Sequence, residues 1–489
     1  MPSLPISDVF SSLPDLDNLC FEYGVEYEGD KIDIPANRYD LLTEKSLYHG
    51  LQQYREPKPI NYIKVDKPSN ITVTVHDNTI RPYVVCAVVK GLNLNEENYQ
   101  ALLDLQEKLH FNVCRHRTLV AIGVHDLETV SKNVSYSCKD PKDIKFIPLN
   151  QTTTLHGDQI EEYYKEDKHF GKYVPLLTQH SQFPLIYDDS KVLSLPPVVN
   201  GNISKVVVNK TNDVFIECTA TDLSRAHTVL NVLCFACSFW STKQFSIESV
   251  AIKYSSKTSV TPQLDSRTVK LNMKEINSFL SLNLSADKVP ALLQKMDVIA
   301  KVEGDNVVVY VPPQRTDILH KVDVIEDVGI GYSFNKLPRR DDFSMTVAKP
   351  QLLNELSDKL RREMAQLGYT ETLGLTLVSF AEGHENMRVQ YPKNVTDFKK
   401  DLKNNPKYGL PEHVPVILKN PSSIEFQQMR TSLVPGLLKF IAENLHHKLP
   451  MQVFELGDVV HQVNNAKRAQ NQRNLGGVYA GKQSGFEVI

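Results

Sequence analysis

Four carboxylates that lie close together in the sequence are the side chains best suited to do chemistry. They are Asp317, Asp323, Glu326 and Asp327, within YVPPQRTDILHKVDVIEDVGIGYSF. The last three are spaced i, i+3 and i+4, so one face of a helix would carry them. Such oxygen ligands suit Mg²⁺, which proteins typically bind through one or two carboxylates while it keeps several waters. Alternatively, Asp317 caps the helix and the other three form a solvated face. The spacing leaves both readings open.

The pattern around these carboxylates predicts a strand, a turn and a helix. Residues 307–311 are apolar and strand-like, and a Pro-Pro turn follows them. A stripe of apolar residues at helical period comes next, made of Ile318, Leu319, Val322, Ile325 and Val328. We expect Thr316 or Asp317 to cap this helix and Gly329 and Gly331 to end it.

The same unit occurs near the N-terminus. IDIPANRYDLLTEKSLYHGL matches VYVPPQRTDILHKVDVIEDV through a shared apolar-x-Pro-x-x-Arg-x-Asp-apolar-Leu pattern, which indicates one module used twice. Asp40 in the first copy corresponds to Asp317, but the other three carboxylates are replaced by Ser46, His49 and Gly50. A cation is therefore expected only in the second copy. Arg38 and Arg315 are expected to brace the turn of each copy.

Composition limits the class of protein. The chain has 489 residues with a net charge of −3, 41% hydrophobic and 23% charged residues, which is typical of a soluble protein of several domains. No apolar run is long enough to span a membrane, and the N-terminus lacks the pattern of a signal or transit peptide. The seven cysteines are irregularly spaced, which favours reduced thiols in the cytosol. The single CxxC, Cys234 and Cys237, lies in an apolar helical run and is expected in the core rather than on zinc.

The region 66–260 alternates strand-like runs with three predicted helices, which indicates an α+β domain with a mostly antiparallel sheet. Glu217 and Asp222 bracket a turn from a strand to a helix, and for Asp222 a helix cap is at least as good a reading as a functional role. His125-Asp126 ends a strand, and no serine nucleophile motif accompanies it. Arg115, His116 and Arg117 form a basic group that meets either phosphate or solvent.

A further domain is predicted after a linker at residues 338–341. It opens with an amphipathic helix whose stripe is Leu352, Leu353, Leu356, Leu360, Met364 and Leu367, closed by Gly368. An apolar strand-like run over 370–380 follows, and Pro435 suits the first turn of a later helix. QVFELGDVVHQ and LGGVYAG predict a hairpin joined by the loop NNAKRAQNQRN. The apolar ending GFEVI predicts that the chain stops inside this domain.

Six stretches, in order, resemble the eukaryotic/archaeal family of phenylalanyl-tRNA synthetase β subunits over the whole chain. They are LCFEYGVEYE with IDIPANRYDLL, CRHRTLVAIGVHDLETV, DIKFIPLN, LSLPPVVNG with FIECTATD, VPPQRTDILHKVDVIEDVGIGYSFNKLP, and NPSSIEFQQMRTSLVPGLL. The resemblance implies an α+β, multidomain fold. Its domains would be an N-terminal strand-turn-helix module over 1–65, a tRNA-editing domain over 66–260, a second module with the Mg²⁺ site over 266–341, and an incomplete, catalytically inactive class II synthetase-like antiparallel sheet with helices over 345–489.

The resemblance also implies the function. A cytoplasmic (αβ)₂ heterotetramer would attach phenylalanine to tRNA(Phe) with ATP bound by the α subunit. Mg²⁺ shared with the α subunit would be held by Asp317, Asp323, Glu326 and Asp327. The β subunit would hydrolyse mischarged Tyr-tRNA(Phe), with Glu217, Asp222, Thr219 and Asn200 as candidates for recognition. The motif-2 arginine of active class II enzymes is absent from VFELGDVV, so no aminoacylation residues are expected in this chain.

Two other classes of function compete with this one. A non-enzymatic nucleic-acid-binding or scaffold module would explain the repeated strand-turn-helix unit, but the net charge of −3 and the acidic helix oppose it. A stand-alone Mg²⁺-dependent phosphoryl-transfer enzyme would explain the carboxylates. The sequence has no G-x-x-x-x-G-K-S/T phosphate loop, which opposes that class.

Overall fold

The structure is a computed structural model that describes residues 2–76, 79–189, 191–242, 246–339, 348–388, 414–463 and 467–482. The chain divides into two compact units, Met1–Asp341 and Asp342–Ile489. Both units mix helices with sheets, and the predicted mixed α/β, multidomain class is confirmed. No helix in the described ranges is long and apolar enough to cross a membrane. The GFEVI ending and the last two residues of the predicted linker lie outside the described residues.

The first unit opens with the N-terminal module. Its elements are β1 Ser3–Pro5, α1 Leu16–Tyr23, β2 Glu26–Tyr27, β3 Lys31–Asp33 and α2 Glu44–Arg55. The three strands form an antiparallel sheet in the order β1-β3-β2. Thr43 and Ser46 cap α2 reciprocally, each side chain bonding the other's backbone N–H. Ser46 therefore has a structural role at the position where the second module has a carboxylate.

A ten-stranded sheet forms the middle of the first unit. Its strands are β4 Lys64–Val75, β5 Tyr83–Val89, β6 Val120–Asp126, β7 Asn133–Lys139, β10 Phe183–Asp188, β11 Lys191–Leu195, β12 Val199–Asn200, β13 Val214–Ala220, β14 Ser246–Lys253 and β15 Thr258–Thr261. A separate pair comprises β8 Lys145–Phe146 and β9 Leu155–His156. The helices are α3 Glu96–Phe111, α4 Ile160–Tyr163, α5 Pro175–Thr178 and α6 Leu223–Ser238.

The large sheet runs in the order β12-β11-β10-β7-β4-β14-β5-β13-β6, with β15 on β14. Most pairs are antiparallel, as predicted, but β4 runs parallel to both β7 and β14. Helix α6 packs its apolar residues against strands β5 and β13, and Cys234 and Cys237 lie buried and free in that layer. The opposite face of the strands at the β6 end contributes the wall of a cavity.

The second module has the element order of the first with one additional helix, Val289–Lys295. It contains β16 Arg267–Asn272, α7 Met273–Leu280, α8 Val289–Lys295, β17 Ile299–Glu303, β18 Asn306–Val311 and α9 Lys321–Tyr332. Its strands form a sheet in the order β16-β18-β17. The two modules are in contact, since the Tyr54 hydroxyl donates to the Ile330 carbonyl at 3.0 Å and the Ser333 hydroxyl to Glu22 at 3.2 Å.

The start of α9 differs from the prediction. The helix begins at Lys321 and its cap is His320, with Asp323 completing a capping box. The reason is that the Asp317 carboxylate is bonded to the Arg315 side chain, which holds the preceding residues in a turn. Leu319 and Val322 consequently lie outside the buried stripe and are exposed, whereas Ile318, Ile325 and Val328 are buried as predicted.

The predicted end of α9 was also wrong. Gly329 and Gly331 lie inside the helix, which continues to Tyr332. A Cβ on Gly331 would come within 2.5 Å of the Leu292 carbonyl oxygen of α8. Gly331 therefore permits a close approach of two helices and does not terminate one.

The second unit contains two α-helices and five strands among its described residues. They are α10 Leu352–Gln366, β19 Thr370–Glu371, β20 Leu377–Val378, β21 Gln428–Met429, α11 Val434–Glu443, β22 Met451–Gln462 and β23 Ala469–Ala480. Pro435 lies in the first turn of α11 and Gly368 follows α10 with φ +87°, as predicted.

Two strand predictions for this unit need correction. The run 370–380 is not one strand, because β19 pairs with β22 while β20 pairs with β21, so the chain bends between them. The predicted hairpin forms, but much of its predicted loop is strand. Residues 469–474 extend β23 because they pair with 457–462 of β22.

Candidate functional site

A cavity of about 220 Å³ lies where the two edges of the ten-stranded sheet approach each other. Ser194 on β11 donates a hydrogen bond to Glu217 on β13 at 2.8 Å, which links strands from opposite ends of the sheet order. Side chains of α3 and the loop after β11 complete the wall. The volume is below the ~300–1,000 Å³ typical of sites for drug-sized ligands. The cavity therefore suits a single small group.

Glu217 is the buried polar residue of this cavity. Its side chain is 2% exposed. Its Oε1 accepts from Ser194, while Oε2 is buried with no hydrogen-bond partner in the described part of the chain. The opposite residue on β6 is Gly123, where a Cβ would collide with Glu217 Oε1. Burying a carboxylate oxygen without a partner is costly, so Oε2 is poised to accept a hydrogen bond from a ligand.

The imidazole of His125 lies next to the Glu217 carboxylate. Its Nδ1 lies 2.8 Å from the Ser204 hydroxyl, and its Nε2 lies 3.8 Å from Glu217 Oε1. The ring is fully buried and tilted against Phe215. His125 lies at the end of strand β6, as the sequence predicts, with the Ser204 hydroxyl on one side of its ring and the Glu217 carboxylate on the other.

A second polar group forms the α3 side of the cavity. Arg117 donates to Glu107 at 3.0 Å and to the Val198 carbonyl at 2.9 Å, and it stacks over Tyr173 at 4.2 Å. His110 accepts from the Ile122 N–H through Nε2, which leaves its Nδ1 as the proton-bearing nitrogen, buried and without a hydrogen-bond partner among the described residues.

These groups have shifted pKa values. Burial lowers the pKa of His110 to about 4, despite the nearby carboxylate of Glu107. The pKa of Glu107 falls to about 2, through His110 first and then, against the opposing effect of burial, through Arg117. Near neutral pH the α3 wall therefore contains a neutral imidazole and an ion pair.

The structure separates the predicted binding residues into two sets. Asn200 and Glu217 line the cavity. Thr219 is fully buried on the same strand and is not among the lining residues, and Asp222 caps α6 by accepting from the Arg225 N–H at 3.1 Å. Ser194, His110 and Glu107 have no signal in the sequence, because only a contact between distant strands and a helix brings them together. Arg117 belongs to the basic group predicted from the sequence.

The four carboxylates of the second module do not converge. Asp317 and Asp327 both accept from Arg315, which lies between them with bonds of 2.7 and 2.9 Å and also donates to the Met296 carbonyl. In the first module Arg38 bonds Asp40 in the same way, at 2.8 and 2.9 Å. The expected bracing role of both arginines is thus observed. Each module therefore has an arginine–carboxylate pairing that stabilises its turn.

Burial and charge oppose each other around Arg315. Burial raises the pKa of Asp327, with Arg315 acting in the other direction. Burial also acts to raise the pKa of Asp317, but Arg315 outweighs it and the pKa is lowered. The pKa of Arg315 is raised well above its usual value by the two carboxylates, although burial acts to lower it.

The other two carboxylates have more freedom. Asp323 Oδ2 accepts from the backbone N–H groups of Leu319 and His320, and Glu326 is exposed on the next turn of α9. Among the described residues, no group of three or more His, Cys, Asp or Glu side chains is arranged to hold a metal ion. Asp323 and Glu326 nevertheless fit a Mg²⁺ that takes one or two carboxylates and several waters.

In the second unit an arginine contacts the strand VFELGDVV. Arg430 donates to Glu455 of β22 at 2.6 Å and to the Asp458 carbonyl at 2.9 Å, and both side chains are buried. A Cβ on Gly457 would come within 2.5 Å of the Arg430 guanidinium. The guanidinium therefore packs against the strand and is bonded to it through two of its nitrogens.

Three family profiles match the chain. "Phenylalanyl tRNA synthetase beta chain CLM domain" matches residues 339–487, "tRNA synthetase B5 domain" matches 269–334, and "B3/4 domain" matches 89–231. The B3/4 match contains the cavity residues Glu107, His110 and Glu217, and the B5 match contains the Arg315 network.

Individual relatives agree with these profiles. The phenylalanine–tRNA ligase β subunit of Saccharomyces cerevisiae is 37% identical over 97% of this chain and 81% of its own length. The Homo sapiens β subunit is 35% identical over 97% and 83%, respectively. The crystal structure of an N-terminal fragment of the Pyrococcus horikoshii phenylalanyl-tRNA synthetase β subunit superposes with a TM-score of 0.61 at 27% identity, covering 68% of this chain and 99% of that fragment. The chain therefore belongs to the family of phenylalanine–tRNA ligase β subunits.

Proposed function

We propose that this chain associates with a catalytic α subunit in an (αβ)₂ assembly that attaches phenylalanine to tRNA(Phe) with ATP, in the cytoplasm. Family membership supports the partnership, and the Arabidopsis thaliana relative is named as cytoplasmic. In this proposal the second unit supports the α subunit and performs no aminoacylation itself. The engaged state of Arg430 supports that division of labour.

An apolar surface on the second unit supports the need for a partner. The stripe of α10 that the sequence predicts is largely uncovered, with Leu352 82% exposed and Leu356 and Leu367 more than half exposed. Ser357 is the buried residue of this helix. Contiguous exposed apolar surface of this kind marks a protein interface. We assign it to the α subunit.

The cavity on the β6 edge is the proposed site that hydrolyses Tyr-tRNA(Phe). An apolar pocket that binds phenylalanine for attachment rejects an analogue with one extra hydroxyl by only ~10²-fold. Discrimination against tyrosine therefore calls for a second site. A tyrosine side chain in the cavity would donate its phenol proton to Glu217 Oε2, the buried oxygen without a partner. A phenylalanine there would leave that oxygen unpaired. This unpaired oxygen is the observation that supports the editing function.

The other cavity residues would bind and orient the substrate. The hydrogen bond from Ser194 fixes the Glu217 carboxylate, Gly123 leaves room for it, and Asn200 lies on the lining for polar contacts. Hydrolysis adds a water oxygen to the ester carbonyl and releases tyrosine and the tRNA hydroxyl. We assign Glu217 the role of specificity and assign no nucleophilic side chain.

Glu217→Ala tests this proposal, with Asp222→Ala as the matched control carboxylate outside the cavity. We expect Glu217→Ala to slow hydrolysis of Tyr-tRNA(Phe) by about 10- to 100-fold, the loss of one hydrogen bond to a charged group. Attachment of phenylalanine and the slow hydrolysis of Phe-tRNA(Phe) should not fall. Asp222→Ala should edit normally and lose about 1 kcal/mol of stability as a removed helix cap.

If wild type and Glu217→Ala hydrolyse Tyr-tRNA(Phe) at the same rate, Glu217 does not recognise the tyrosine hydroxyl. A defect in Asp222→Ala at unchanged stability would instead restore Asp222 as an editing residue. A wild-type complex that leaves Tyr-tRNA(Phe) intact would refute the editing function altogether.

We propose that Asp323 and Glu326 hold a Mg²⁺ ion shared with the α subunit. Asp317 and Asp327, the other two carboxylates of the predicted set, would not bind the ion directly, because both are bonded to Arg315. Mg²⁺ would neutralise the acidic face of α9 where the partner docks. The double variant Asp323→Asn, Glu326→Gln should weaken α association and remove its sensitivity to EDTA. Association that stays equally sensitive to EDTA in this variant would contradict the assignment.

A further inference from the structure

The turn that follows α3 has an unusual backbone. Arg115, His116 and Arg117 have φ of +45°, +53° and +64°, three consecutive left-handed residues where side chains other than glycine normally visit this region singly. The His116 N–H donates to the His110 carbonyl at 2.7 Å, which ties the turn to α3. Backbone of this kind clusters at ligand clamps and active sites. The turn therefore calls for a functional explanation.

The turn sends its side chains in two directions. Arg117 is buried in the cavity wall, while Arg115 and His116 are exposed. The Arg115 guanidinium makes no side-chain hydrogen bond or ion pair with the described part of the chain. One residue of the turn thus shapes the cavity, and its two neighbours present positive or hydrogen-bonding groups outside it.

An exposed aromatic ring stands beside this turn. Phe111, the last residue of α3, is 70% exposed and meets the His116 ring edge to face, with centroids 4.7 Å apart at 84°. Phe111 lies one helical turn beyond Glu107 and next to His110, and both of those line the cavity. We call Phe111, Arg115 and His116 the rim platform. Its three residues are neighbours in the chain of Glu107, His110 and Arg117, which line the cavity.

We propose that the rim platform binds the 3′-terminal nucleotide of the tRNA acceptor strand, with the base stacked on Phe111 and a phosphate bonded to Arg115. The inference rests on the proposed editing function. A tyrosyl group in the cavity is joined by an ester to the terminal ribose, so the base must lie within a few ångströms of the cavity opening. Aromatic faces stack any base, and a guanidinium suits phosphate. The Glu107 carboxylate at the same wall does not oppose the phosphate, because Arg117 is bonded to it.

The test measures hydrolysis of Tyr-tRNA(Phe) by the full chain co-purified with its α subunit. Phe111→Ala should lower kcat/KM by about 5- to 150-fold, the loss expected when a stacking aromatic is removed. Phe111→Trp should retain near wild-type editing, because it keeps a face for stacking. Phe21→Ala is the matched control, since Phe21 is 69% exposed and lies in the N-terminal module. Arg115→Gln should raise KM and weaken its dependence on salt.

The outcomes separate the two levels of the proposal. If the wild type hydrolyses Tyr-tRNA(Phe) and Phe111→Ala does so as fast as Phe21→Ala, the rim platform is refuted and the proposed editing function is retained. Wild type that does not edit removes both. If Phe111→Ala fails to co-purify with the α subunit, the ring belongs to a protein interface, which also overturns the platform. Editing lost in Phe111→Ala and restored in Phe111→Trp, with phenylalanine attachment unchanged in both, supports it.

Discussion

At the scale of single residues, the cavity contains buried polar atoms that have no hydrogen-bond partner among the described residues. Glu217 Oε2 and His110 Nδ1 both lack a hydrogen-bond partner among the described residues, in a protein where most buried polar groups should be paired. Such groups reduce stability, and a ligand that donated a hydrogen bond to Glu217 Oε2 would remove that cost. His110 allows a separate check, because its protonation links the cavity to folding.

We expect the cavity residue His110 to make stability depend on pH. Its pKa in the folded chain is about 4, against about 6.5 when unfolded. Between these values the unfolded state binds a proton that the folded state does not, so the free energy of unfolding decreases as pH falls. The loss from pH 7 to pH 5 is about 2 kcal/mol.

Unfolding of wild type and His110→Gln at both pH values measures this loss. Glutamine can still accept from the Ile122 N–H, but it does not titrate. The variant should therefore lose less stability than wild type on acidification. Identical pH dependence in the two proteins would show that His110 is not buried in its neutral form.

At the scale of elements, the second module is built around a close contact of two helices and one charged turn. Helix α9 approaches α8 where Gly331 faces the Leu292 carbonyl, and Arg315 joins the turn before α9 to the Met296 carbonyl after α8. The contact and the ion network fix α9, which bears Asp323 and Glu326. The position of the proposed metal ligands therefore depends on packing outside them.

Gly331→Ala should destabilise the chain by about 1–3 kcal/mol, because the added methyl group has no room beside α8. Gly436 in α11 is the matched control, since a Cβ there meets nothing within 4 Å. Gly436→Ala should be neutral or stabilising by up to about 1 kcal/mol, as expected for alanine in a helix. Thermal unfolding of both variants decides the matter. Equal stabilities would mean that α8 and α9 are further apart than described.

At the scale of the whole molecule, the features of the two units call for different partners. The first unit contains the cavity, the rim platform and the acidic helix, which point to tRNA and a cation. The second unit leaves an apolar helix face uncovered, which points to a protein. The net charge of −3 agrees with local rather than global recognition of RNA.

The double variant Leu352→Glu, Leu356→Glu should abolish co-purification with the α subunit, because two charges would be buried at the interface. Both positions are exposed in this chain, so the variant should fold with unchanged secondary structure by circular dichroism. Editing and attachment of phenylalanine should then be tested on whatever complex remains. If the double variant still co-purifies fully with the α subunit, α10 is not part of the contact with the α subunit.

Much of the architecture could be predicted from the sequence alone. Hydrophobic periodicity located the strand, turn and helix of both modules, the three helices of the middle region and the first helix of the second unit, because it depends on neighbouring residues. Capping signals did not give the two ends of α9. The repeated Arg-x-Asp was correctly interpreted as a brace, since the two side chains are close along the chain. The family followed from specific motifs.

Only the tertiary structure decided the parts that depend on distant contacts. Spacing placed four carboxylates together, yet Arg315 takes two of them, because a buried guanidinium pairs with the nearest carboxylates whatever the helix periodicity allows. The cavity joins Ser194, Glu217 and His110 from two sheet edges and a helix. Gly331 lies in the last turn of α9, where α8 needs the space that a side chain would fill. These outcomes follow from which surfaces meet in three dimensions, and no local pattern along the chain contains that information.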